Sequence, residues 1–130
     1  MTGGLTGARY ILPRTVNAAL AHVFAEPVDG VIVIEHSLYA LAHLGMRATT
    51  RPNRILLAIG GAEFVANPEL LLHEYCHVIR QWRPGHLTRS RYLLESARCG
   101  YWANRFEREA RAFAAAAEGD YRRYLQQLAQ

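Results

Sequence analysis

From Arg14 to Phe24 the apolar residues fall at Val16, Ala19, Leu20, Val23 and Phe24. That spacing lines one face of an amphipathic helix. Pro27, Asp29 and Gly30 end the pattern, and the β-branched run Val31-Ile32-Val33-Ile34 reads as a short buried strand. Residues His36 to Leu44 are expected to add a brief helical stretch. Met46 to Thr50 and Arg54 to Ile59 are two further strands, joined by the turn-forming Arg51-Pro52-Asn53 into an antiparallel hairpin.

Gly60-Gly61 breaks the sheet and a linking segment follows. Asn67 then opens a helix, with Pro68 at its first position and Glu69 in its first turn, where a carboxylate favours the helix dipole. Pro84-Gly85 cannot continue it, so it should end near Arg83. Arg91 to Cys99 is a second helix, bent or interrupted at Gly100. A third starts near Asn104 and runs through an alanine-rich stretch, and Gly119-Asp120 is expected to separate it from a last helix, Tyr121 to Ala129. This order predicts an α+β domain over residues 13–130. It comprises an N-terminal helix, a small mainly antiparallel sheet of about three strands, and a helical half. Residues 1–12, with Gly3, Gly4 and Gly7, are expected to be a loose arm.

Length and composition fit one globular unit. The chain has 130 residues, of which 51% are hydrophobic and 20% charged, too apolar for a disordered protein. All 15 basic residues are arginine, and the net charge is +4. They are scattered, with acidic neighbours at helical spacing such as Glu107 with Arg111 and Glu118 with Arg122, so a solvated face is expected and nucleic acid is not expected as a partner. No apolar run reaches membrane-spanning length and the start lacks the pattern of a secretory signal. A cytoplasmic location is therefore expected, with non-classical export as the other route. Cys76 and Cys99 are expected to be reduced, buried thiols.

The chemistry concentrates at His73-Glu74-Tyr75-Cys76-His77. Residues four apart share a helix face, so both imidazoles can meet one metal ion while Glu74 leans to the same side. Zinc accepts neutral imidazole readily, and three protein ligands leave a position for water. The third ligand has candidates in Glu95, Glu107, Glu109 and His86. Glu107 has a second role open to it, because Asn104-x-x-Glu107 is a capping-box spacing. Glu109 points to the other side of that helix and reads as a surface charge. His22, His36 and His43 lack ligand spacing with one another and read as structural.

With Glu107-Arg108-Glu109-Ala110 following on a later helix, residues 46–114 resemble the Glu-zincin metallopeptidases. The likeness is strongest to their small single-domain members and to the metallopeptidase-like domain associated with contractile injection systems. The resemblance implies zinc held by His73, His77 and Glu107, with Glu95 as the second choice for the third ligand, and Glu74 as the general base of peptide hydrolysis. It implies a peptide or protein substrate held by strand addition, with Arg54 to Ile59 as the receiving edge. His86, Tyr92 or Tyr101 would donate to the developing oxyanion. Many relatives carry Asp or Asn four residues after the ligand Glu, where this chain has Arg111. That departure motivates the alternative of a zinc-stabilised binding or cargo module with little or no turnover.

Overall fold

The computed structural model describes residues 7–41 and 47–130, without the side chains of Tyr39 and Leu41. It is α+β, with a four-stranded mixed sheet. Strands β1 (Ala8–Tyr10), β2 (Ile32–Glu35), β3 (Ala48–Arg51) and β4 (Arg54–Leu57) lie in the order β1-β2-β4-β3. The helices are α1 (Arg14–Phe24), α2 (Leu38–Leu41), α3 (Gly61–Val65), α4 (Pro68–Cys76), α5 (Arg89–Ala103) and α6 (Arg105–Leu128). Between α4 and α5, His77–Trp82 forms a π-helical continuation.

The sheet departs from the expected three mainly antiparallel strands in two ways. Ala8–Tyr10, expected in a loose arm, pairs antiparallel with β2, Arg9 opposite Ile34. Gly61 explains why that end is pinned: a Cβ there would collide with the Tyr10 ring, so the bare glycine lets the ring close over α3. The second departure is that β2 and β4 run parallel, Val33 opposite Ile55. The β3–β4 hairpin is as expected, with Thr50 opposite Ile55 across a turn of Pro52 and Asn53. Asn53 sits at φ 59°, the left-handed position a type II turn demands after proline, and asparagine tolerates it.

Because side chains alternate along a strand, Val33, Ile55 and Thr50 fall in one row on one face, and Leu57 lies opposite Ala48 on that face. Of these, Val33, Ala48, Ile55 and Leu57 meet Leu20 and Phe24 of α1, Phe64 of α3, Leu71, Leu72 and Tyr75 of α4, and Ala110, Ala114 and Tyr121 of α6 in one core. Helix α4 is buried on nearly all sides, packed on α6, α3 and β3, which makes it the central helix of the domain.

The helix start at Asn67 is as expected, its side chain accepting from Leu70 N at 3.2 Å. The segment expected to be a linker contains α3, whose first amide, Gly61 N, is held by Glu35 Oε1 at 2.7 Å. The expected break at Gly119-Asp120 does not occur and α6 continues to Leu128. Gly119 costs about 1 kcal/mol of helix propensity, which tertiary packing overrides: Tyr121 is buried, and Asp120 Oδ2 meets His22 Nε2 of α1 at 3.1 Å. His43, residues 42–44 of the expected helical stretch and Met46 of the expected strand lie outside the described residues. Among the described residues no helix is long and apolar enough to cross a membrane.

Candidate metal centre

Three side chains from two helices converge. His73 lies on α4 and His77 directly follows it, where the regular bond from His77 N to His73 O keeps both imidazoles on one face. Glu107 comes from the first turn of α6, and its Oε1 lies 2.9 Å from His73 Nε2 and 3.1 Å from His77 Nε2. One ligand atom from each of the three lies within 4.8 Å of the others, which suffices for a single metal ion. His77 and Glu107 are buried and His73 partly so.

The capping-box role of Glu107 is not taken up. Asn104 does cap α6, its Oδ1 accepting from Phe106 N at 2.8 Å. Its own backbone N–H is already bonded to Tyr101 O at 3.2 Å, so no donor waits for Glu107 and the carboxylate turns inward. Asn104 Nδ2 donates to Ser96 Oγ at 2.9 Å, tying α5 to the start of α6. Gly100, at φ 80° and ψ 169°, makes the sharp bend that returns the chain toward that start.

The orientation of each group is fixed from behind. Gln81 Nε2 donates both its hydrogens, to Phe106 O at 2.9 Å and to Glu109 Oε1 at 2.7 Å. Gln81 Oε1 must therefore accept, and at 2.6 Å from His77 Nδ1 it holds the proton on that nitrogen and leaves Nε2 to face Glu107. This is the arrangement metal-binding histidines use. Gln81 sits in the π-helical turn, where Arg83 N reaches Val78 O at 2.9 Å, five residues back; such turns concentrate at functional sites. Tyr92 donates to Glu107 Oε2 at 2.6 Å and Tyr101 to Oε1 at 3.4 Å.

The electrostatics follow from this geometry. Burial disfavours the charged form of His77, but hydrogen bonding to Glu107 and the nearby carboxylates outweigh it and push its pKa up to about 9. Burial works against the Glu107 carboxylate too, and its bonds to His73 and His77 overcome that and hold its pKa well below the usual range. Glu74 is buried, and desolvation raises its pKa against the opposing pull of both histidines. Burial first, then the bond to Glu107, raises the Tyr92 phenol, so it stays a neutral donor.

Glu74, His77 and Glu107 open into a cleft of about 390 Å³, walled by β3 on one side and by α5, with Tyr92 and Leu93, on the other. Both tyrosines considered as oxyanion donors line it, whereas His86 lies in the exposed turn after the π-helical segment and is not among the lining residues. Glu95, the second choice for third ligand, is turned away: it is buried on α5 with Arg98 at 3.4 Å and accepts from the Cys99 thiol. Glu109 is exposed, as expected, yet one of its oxygens anchors Gln81. Arg54 to Ile59 is not a free edge, because β4 lies between β2 and β3; the edge beside the cleft is β3.

Cys76 is buried in the core, its thiol pushed up to about 12 by desolvation, while Cys99 is exposed rather than buried; both are free. Arg111 donates to Trp102 O and lies 3.7 Å over the Trp102 ring, holding the segment that carries Tyr101. Gln81 escaped the sequence reading, although its position four residues after His77 is the signal that points to it. Comparisons of the chain with protein-family models, curated proteins and solved structures find no match.

Proposed function

We propose that this domain is a zinc-dependent peptidase that uses Glu74 as its general base. The observation that carries the reading is the convergence of His73, His77 and Glu107 within 4.8 Å beside the buried Glu74, at the end of a cleft. Two imidazole nitrogens and one carboxylate oxygen are a donor set suited to zinc with a further position open. His73, His77 and Glu107 would hold zinc there, which would supply Lewis acidity and lower the pKa of a bound water to about 7.

The chain's own groups do the rest. Glu74, its pKa raised by burial, accepts the proton of the attacking water and returns it to the leaving amine. Tyr92 and Tyr101 line the cleft and hold Glu107 in place with their single hydroxyl hydrogens, so either would serve a developing oxyanion only by giving up its bond to Glu107. An extended peptide adds to β3. The bond from Ala58 N to Arg47 O sets the alternation of that ladder, so the backbone groups of Ala48 and Thr50 face away from β4 along the open edge, with Thr50 O also accepting from the Arg51 guanidinium.

Glu74→Gln should retain one zinc per chain and lose cleavage of a peptide library. Cleavage by that variant at the wild-type rate sinks the mechanism. A zinc-stabilised binding or cargo module is the second reading, favoured by Arg111 standing where relatives of the resembled family carry Asp or Asn. Stoichiometric zinc with no cleavage of the library by the wild-type chain would decide for it.

A further inference from the structure

The geometry points to a peptide substrate that carries an acidic side chain next to an apolar one, with Arg89 as the specificity-determining residue. The inference rests on the cleft being the place where a peptide is held. Beyond the metal centre, the charged side chains that line this cleft are Arg51 on β3 and Arg89 at the first position of α5. The two guanidinium-bearing residues stand on opposite walls.

Arg89 is exposed, and among the described residues no carboxylate lies within ion-pair distance of it. Arg51 donates to Thr50 O at 2.8 Å, which steadies its side chain along β3. The same cleft carries apolar side chains: Trp82, held by its Nε1 on Thr50 Oγ1 at 3.1 Å, with Leu87 and Leu93. Leu93 is 68% exposed, a large apolar side chain turned to the open side of the cleft. A guanidinium is weakly hydrated and matches a carboxylate in two parallel hydrogen bonds. A cleft with cationic walls also concentrates anionic ligands. Two arginines fall short of the continuous basic track that a nucleic-acid strand asks for, which favours a peptide.

The test uses the full zinc-loaded chain with Glu74→Gln, so that bound peptides stay intact, and labelled hexapeptides read by fluorescence anisotropy. The peptides hold Leu beside Glu, Gln or Lys. The Glu peptide should bind about fivefold tighter than the Gln peptide, the upper end for a solvent-accessible ion pair. Arg89→Glu should reverse the order in favour of Lys, and Arg89→Gln should abolish the preference; raising the salt should shrink it. Because Arg89 is exposed, a thermal melt should show both variants folded.

Equal binding of the three peptides, or a preference that survives Arg89→Glu, overturns the inference. So does displacement of the Glu peptide by a single-stranded oligonucleotide that binds more tightly. If wild-type protein cleaves peptides without regard to this charge, the peptidase reading stands and the inference falls. If it cleaves none while the Glu preference and its reversal persist, the inference stands and the peptidase reading falls.

Discussion

Gln81→Met tests whether the metal centre is built from behind as well as from its three ligands. Gln81 is 1% exposed, and its amide joins His77 Nδ1, Phe106 O and Glu109 Oε1. Methionine keeps most of the volume, which limits packing loss to under about 1.5 kcal/mol. The cost then comes from polar groups. A buried His77 Nδ1–H left without an acceptor costs about 1–3 kcal/mol. Phe106 O remains satisfiable within α6, and Glu109 is exposed to water, so neither adds much.

Without the Gln81 acceptor the proton on His77 is no longer confined to Nδ1, and loss of such a partner typically weakens metal binding by about 10–100-fold. At fixed free zinc that removes roughly 1.4–2.7 kcal/mol of metal-linked stability. Chelator competition should read the affinity loss directly, and melting with and without zinc should show the shift shrinking by several degrees, at roughly 3–5 °C per kcal/mol for a chain of this length. A double-mutant cycle with Glu109→Gln should return a coupling above about 0.5 kcal/mol, because the two side chains share one bond. Unchanged zinc affinity in Gln81→Met would refute the argument that Gln81 sets the imidazole.

The metal-free protein should lose stability as pH rises from 6.5 through about 9. The His77 pKa is raised in the folded state, so its contribution is complete below its ordinary value of 6.5 and lost above about 9. Glu107 acts oppositely: its depressed pKa stabilises above its ordinary 4.5 and is lost as pH falls, while the raised pKa of Glu74 costs stability as pH rises above 4.5, so urea melts of chelated protein should show stability greatest near pH 4.5 and declining above it. Zinc affinity should instead rise with pH, since protons compete for the same nitrogens. Gly100→Ala meets no neighbouring atom but forces a side chain onto φ 80° and ψ 169°, so chemical denaturation should report a loss of about 1–3 kcal/mol from backbone strain alone. Asn104→Ala removes the α6 cap and the tie to Ser96 from a fully buried position; a loss of about 2 kcal/mol together with weaker zinc binding is expected, and a loss without the binding change would separate the cap from the site.

Much of the fold was legible because local signals agreed with tertiary demand. The stripe of Val16, Ala19, Leu20 and Phe24 is buried as its spacing requires, and Asn67-Pro68 starts a helix by a mechanism contained in two residues. The features that escaped depend on distant partners. β1 is pinned where Tyr10 lies against Gly61, a contact between residues far apart in sequence. The parallel pairing of β2 with β4 is a choice of neighbour that no periodicity records. Gly119 looks like a break in the sequence, but Asp120 and Tyr121 beside it are held by α1 and the core.

The site shows the same division at finer scale. His73, Glu74 and His77 were legible because helical spacing alone brings them to one face. Glu107 was separable from its capping role only through Tyr101 O, which occupies the Asn104 amide and depends on the bend at Gly100. His77 Nδ1 is held by Gln81, one turn further along the chain, with Glu109 bracing the amide from α6. Arg111 holds Trp102 and, through it, the chain segment that brings Tyr101 to Glu107. Replacing Arg111 with Asp should therefore add no support to His77, which Gln81 already serves: it would remove the stacking on Trp102, and zinc affinity should fall rather than rise.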